Sequence, residues 1–195
     1  HIVFPDLGHR YWIRNVTIEP TAHSPAWESL AGEWKKRGDS GSFTIEPDSI
    51  IGRDGHSILY AAQTARDFLL SVYVRSHQRV NAGVFLRGSP DGSRPRGFEV
   101  QVYSPPDAVF PTGSIYNHVR SNVSVDYEER WFLLQVLLRG SSCRVWLDGD
   151  LVAESEQLPA GTPAEGQIGF QIHSDEGSVE FAHPRLMRIG AGGRP

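Results

Sequence analysis

The sequence predicts an all-β domain, a two-sheet antiparallel jelly-roll sandwich. Three observations carry this. Helical periodicity is almost absent, short runs rich in β-branched and aromatic residues recur along the chain, and clusters of Gly, Pro, Asp and Ser separate them. The runs are Ser42–Ile45, 57–61, 68–75, 82–87, 97–103, 113–117, 132–138, Ser142–Leu147, 151–154, 167–173 and 178–189. About eleven strands are more than a small seven-stranded sandwich needs and suit the larger jelly roll. A turn or two of helix is expected around 27–30, with Ser24-Pro25 as cap and first helical position. Asp148-Gly149-Asp150 reads as a tight hairpin in which glycine takes the positive φ. Pro184 cannot donate to a ladder, so the last run is expected to be an edge strand or to bulge there.

The 195 residues suit one sandwich. Residues 1–25 read as an N-terminal segment, either an extra strand or the tail of a preceding copy. Residues 26–190 form the jelly-roll domain, and 191–195 a flexible Gly/Arg/Pro tail. With 39% hydrophobic and 22% charged residues a packed core is expected. The net charge of −4 argues against nucleic acid as the main partner, which calls for a clustered basic face. Cys143 is the single cysteine, so no intrachain disulfide can form. No apolar run approaches the roughly 18 residues of a membrane span. The chain begins at His1, from which a processed form or an excised domain is expected. There is no His-x-x-x-His, no cysteine pair and no EF-hand run. No cofactor is expected, and a structural calcium held by loop oxygens is left open.

Alternation along the strands then isolates a polar stripe. In 81–87 one face carries Ala82, Val84 and Leu86, the other Asn81, Gly83, Phe85 and Arg87. In 98–103 one face carries Phe98, Val100 and Val102, the other Glu99, Gln101 and Tyr103. In 168–173 one face carries Ile168, Phe170 and Ile172, the other Gly169, Gln171 and His173. Three strands thus pair an aliphatic face with one of amides, a guanidinium, a carboxylate, an imidazole and aromatics. Such groups hydrogen-bond sugar hydroxyls and stack on sugar C–H surfaces. A solvated outer face with incidental polar pairs is the plain alternative.

Five segments occur in order: NAGVFLRG (81–88), GFEVQVYS (97–104), TGSIYN (112–117), VWLDGDLV (145–152) and GQIGFQIHS (166–174). GEWKKRGDSGSFTIEPDSIIG (32–52) precedes them. Together they resemble the 3-keto-disaccharide hydrolase domain family over roughly residues 27–189. The resemblance implies a concanavalin-A-like jelly roll, exported in bacteria to the periplasm or medium, that acts on glycosides oxidised at C3. It implies a cleft lined by Arg87, Glu99, Gln101, Tyr116, Gln171 and His173. All but Tyr116 are also on the alternation stripe. Two positions depart from the family pattern. Tyr73 stands where members often carry a carboxylate, and Trp131-Phe132 where they often carry Trp-Asn. DLGHRYWIRNVTIEP (6–20) resembles the family's closing strand, in keeping with tandem domains in a larger chain.

Ordinary glycosidases need two carboxylates facing each other across the bond, and the strand at 97–103 offers only Glu99-x-Gln101. A 3-keto sugar relaxes that need, because the ketone acidifies the C2 proton and one base suffices for elimination. His173 or Glu99 is the expected base and Arg87 the enolate stabiliser, with help from Gln101 or Gln171; Tyr116 would stack on the ring or protonate the leaving oxygen. Asn81, Tyr103 and Tyr73 complete the expected substrate-binding set. If the carboxylate replaced by Tyr73 is catalytic in the family, the expected alternative is a non-catalytic carbohydrate-binding module.

Overall fold

The computed structural model describes residues 26–30, 32–92 and 95–190. Among them there is no α-helix, and hence no helix able to cross a membrane; eleven strands carry the fold, paired antiparallel. They are β1 Trp27–Ser29, β2 Trp34–Arg37, β3 Ser42–Ile45, β4 Ser49–Ala65, β5 Phe68–His77, β6 Ala82–Ser89, β7 Arg96–Val102, β8 Phe132–Arg139, β9 Ser142–Leu147, β10 Asp150–Ser155 and β11 Gly166–Arg188.

Two long strands organise the rest. The first part of β4 pairs with β3 and its second part with β2. Likewise the first part of β11 pairs with β6 and its second part with β5. Each long strand bends where its backbone turns left-handed, at Asp54 (φ 50°) in β4 and Gly177 (φ 101°) in β11. The fold therefore has two leaves that share β4 and β11. The first leaf runs β2, β4, β11, β6, β7. The second runs β10, β9, β8, β5, β11, β4, β3, with β1 along β11. Between them lies one core that includes Leu59, Val84, Val100, Phe170 and Ile172 from the first leaf and Leu70, Val72, Val136 and Val145 from the second.

The jelly-roll reading holds, with local corrections. The expected helix around 27–30 is strand β1. Trp27 lies under the Arg185 guanidinium at 4.8 Å and Glu28 pairs with Arg188, so cross-strand partners override the local cap signal. Ser24-Pro25, residues 1–25 and the tail 191–195 lie outside the described residues. β2 was not anticipated. The separate runs at 167–173 and 178–189 are one strand, bent rather than broken. The run at 113–117 contributes only isolated bridges through Ile115, to Val100 and to Val119. At Pro184 the ladder slips between Ala182 and Arg185 beside His183 (φ 49°), the expected bulge. Asp148 (φ 50°) and Gly149 (φ 93°) both take positive φ in the β9–β10 hairpin.

Candidate functional site

The outward face of the first leaf is built in rows, because residues opposite each other across antiparallel strands point the same way. One row reads Lys35, Tyr60, Gly169, Phe85, Glu99. Tyr116 extends it, its backbone N–H donating to the Glu99 carbonyl at 2.9 Å. The next row reads Arg37, Ile58, Gln171, Gly83, Gln101. A third begins with the His56–His173 pair and continues to Asn81, whose carbonyl accepts from the His173 N–H at 2.8 Å. Tyr103 lies one step beyond the Ala82–Val102 pair. Ile58, Tyr60 and Phe85 form a small apolar cluster separate from the main core.

Gly83 shapes the floor. A Cβ there would collide with Glu99 Oε1, so the Glu99 side chain leans over bare backbone toward the Gln171 row. Only 8% of Glu99 is exposed, and burial pushes its pKa up to about 8. Its Oε1 has no hydrogen-bond partner among the described residues, and neither has the Tyr60 hydroxyl. Burial also pushes Tyr60 up to about 12, with Arg37 opposing and Glu99 adding. Beside this floor Gln101 Nε2 donates to Asn81 Oδ1 at 2.7 Å.

The open end is histidine-rich. The His56 and His173 rings meet edge-on, centroids 4.3 Å apart, and His56 Nε2 lies 2.9 Å from Asp175 Oδ1. His173 is held below its ordinary pKa, first by burial, then by His56, with Asp175 opposing. At the other side residues 90–92, just after β6, reach β2. Lys35 pairs with Asp91 at 2.7 Å, and Arg37 donates to the Gly92 carbonyl at 2.8 Å.

Of the residues expected from sequence, His173, Glu99, Asn81, Gln101, Tyr103, Tyr116 and Gln171 come together on this face. Arg87 and Tyr73 do not. Arg87 takes φ 50° at a bulge between Leu86 and Ser89, which turns its side chain off the stripe. It is 3% exposed and donates to the Arg66 carbonyl at 2.7 and 3.0 Å, while reaching Asp67 at 3.2 Å. All of these partners belong to the protein. Tyr73 belongs to β5 in the second leaf. Its neighbours Val72 and Val74 fill the core, so Tyr73 faces solvent on the opposite side of the molecule. His56, Tyr60 and Arg37 were not anticipated. The alternation His56, Ile58, Tyr60 could have disclosed two of them; Arg37 lies on the unrecognised β2. Among the described residues no group of three or more His, Cys, Asp or Glu side chains could hold a metal ion.

A family model, the 3-keto-alpha-glucoside-1,2-lyase-like domain, matches residues 23–187. The chain belongs to this family. A comparison with curated proteins finds no match. Solved structures of similar shape include a candidate glycosyl hydrolase from Parabacteroides distasonis, with TM-score 0.68 and 17% identity over 80% of this chain and 88% of that one. The carbohydrate-binding module CBM66 from Bacillus subtilis gives TM-score 0.54 and 15% identity over 83% and 94%. A Bacillus licheniformis β-glucanase gives TM-score 0.58 and 10% identity over 87% and 100%. At these identities the likeness shows the lectin- and glucanase-type jelly roll of this lyase-like domain.

Proposed function

We propose that this domain cleaves 3-keto-glycosides by elimination on the outward face of the first leaf, as an exported bacterial protein. The observation that supports it is a pair of proton carriers tuned in opposite directions. His173 is held below its ordinary pKa and is neutral near pH 7. Glu99, raised to about 8, is mostly protonated there. Such a split separates base from acid. The Glu99 carboxyl sits over Gly83, whose partner Gln171 is two residues from His173. Strand spacings put the Gly83 and His173 Cα atoms about 8 Å apart, the span of one hexose with its substituents.

In this reading neutral His173 accepts the C2 proton. The C–H electron pair forms the C2–C3 enolate, whose oxygen is met by the Gln101 and Gln171 amides in place of Arg87. Collapse of the enolate breaks the C1–oxygen bond, and the departing oxygen takes its proton from Glu99. The product is the 1,2-unsaturated 3-ketone. Water adding at C1 and a proton at C2 complete net hydrolysis. Tyr116, half exposed beside Glu99, offers a ring for stacking on the sugar or the aglycone.

A second reading, sugar binding without cleavage, is supported by the burial of Glu99 and by the shape shared with CBM66. Turnover of a chromogenic 3-keto-glucoside in D2O separates the two. Elimination and rehydration leave deuterium at C2 of the product. Product without deuterium contradicts elimination, and saturable binding without product favours the binding module.

A further inference from the structure

The two histidines that meet on the first leaf are not equivalent. His56 Nε2 donates to Asp175, which fixes that ring. The His173 ring nitrogens have no hydrogen-bond partner among the described residues. What orients His173 is the ring contact itself, with the two planes at 90°. His56 reaches it from β4 as its direct cross-strand partner.

We propose that His56, held by Asp175, is a positioning residue for His173. It fixes the ring edge-on and opposes a second positive charge beside it, so that His173 stays a neutral proton acceptor. This rests on the reading of His173 as the base. The groups facing His173 are few. His56 comes from β4 and Asp175 from β11 itself. From the β6 side comes the amide of Asn81, and beyond it, just past the end of β7, the phenol of Tyr103. Of the charged partners, an imidazolium at position 56 repels a proton on His173, whereas the Asp175 carboxylate attracts it. Both influences act on His173 in those directions, added to the larger effect of burial. His56 is exposed, so replacing it leaves no cavity in the core.

The test is a proton–carbon NMR titration of the histidine ring signals of the whole chain without substrate, alongside the pH profile of kcat/KM. His56→Phe keeps a flat ring without an ionisable nitrogen; His56→Lys supplies a cation without the ring. With Phe the His173 midpoint rises by about half a pH unit, the size of one screened charge at this separation. With Lys it stays at or below the wild-type midpoint. The acid limb of kcat/KM moves with each. A His173 midpoint unchanged in His56→Phe, or raised equally by both variants, overturns the positioning role. Midpoints that move as expected while the rate profile stays fixed, or while no turnover is found, leave the ring coupling standing. They overturn His173 as the base, and with it the catalytic role of His56.

Discussion

The two outward faces of the sandwich use the same residue types to opposite ends. On the second leaf His77 lies between two carboxylates, Glu180 and Glu129. Glu180 Oε1 also accepts from Arg75 at 2.7 and 3.0 Å, Glu129 accepts from the Gln78 N–H, and Arg75 packs on Trp131. Burial alone would lower His77, but the two carboxylates outweigh it and raise its pKa. Glu180, opposed by its own burial, is drawn down by His77 and Arg75. On the first leaf every direction reverses. His173 is lowered, Glu99 is raised, and Glu99 Oε1 and the Tyr60 hydroxyl lack partners. A polar cluster that satisfies itself is built to hold strands together. One that leaves buried polar atoms waiting carries a cost that a ligand can relieve.

The comparison breaks most sharply at the histidines. His173→Ala is expected to lower turnover of a 3-keto-glucoside about a thousandfold, the usual range for a lost general base. His77→Ala and Tyr73→Ser should stay within about twofold. Equal losses on both faces would abolish the distinction. Next comes Arg87→Ala. Removing this buried guanidinium orphans the Arg66 carbonyl and Asp67, at a cost of about 3 kcal/mol in urea unfolding, with the folded fraction still active. Full stability with lost activity would return Arg87 to the site.

Glu99→Gln should do the reverse of most core substitutions. A carboxyl at about 8 in the fold ionises near its ordinary value when unfolded, so its burial increasingly opposes folding as pH rises from about 4 to 8. The variant is expected to be about 2 kcal/mol more stable at pH 7, no more stable at pH 4, and impaired in turnover. Equal stability at both pH values would contradict the raised pKa. The smallest effect is on the second leaf. His77 is raised, so its contribution is complete below its unfolded pKa and fades as pH rises through the higher folded one. The lowered Glu180 contributes above its unfolded pKa and loses that contribution as pH falls through its folded one. These two groups should therefore contribute about 1 kcal/mol of loss on each side of mildly acidic pH, and His77→Gln should remove about that much of the alkaline loss, leaving the larger part that belongs to Glu99. An alkaline limb of the same size with and without His77→Gln, compared in the Glu99→Gln background, would clear His77 of the effect.

Much of this was legible in the sequence because strand alternation is strict wherever a ladder runs undisturbed. Glu99 and Gln101, Gln171 and His173, and Asn81 followed from counting by two. Counting failed at Arg87, where one left-handed residue reverses direction and nothing in FLRGS announces it. It also failed to say which leaf a strand joins. Tyr73 alternates correctly against Val72 and Val74, yet β5 lies in the other sheet. The bends at Asp54 and at Gly177 read as strand ends because turn residues mark both a break and a bend. β2 escaped because its Lys-Lys-Arg run suits an exposed edge, where lysine blunts unwanted pairing.

The most direct test of the central claim needs no turnover. Histidine ring signals of the whole chain would be followed while a 3-keto-glucoside, or a non-cleavable analogue with the same ketone, is added. The His173 and His56 signals are expected to shift saturably while the His77 signal stays fixed. Movement of His77 with His173 and His56 unmoved would place the sugar on the wrong leaf and contradict the account.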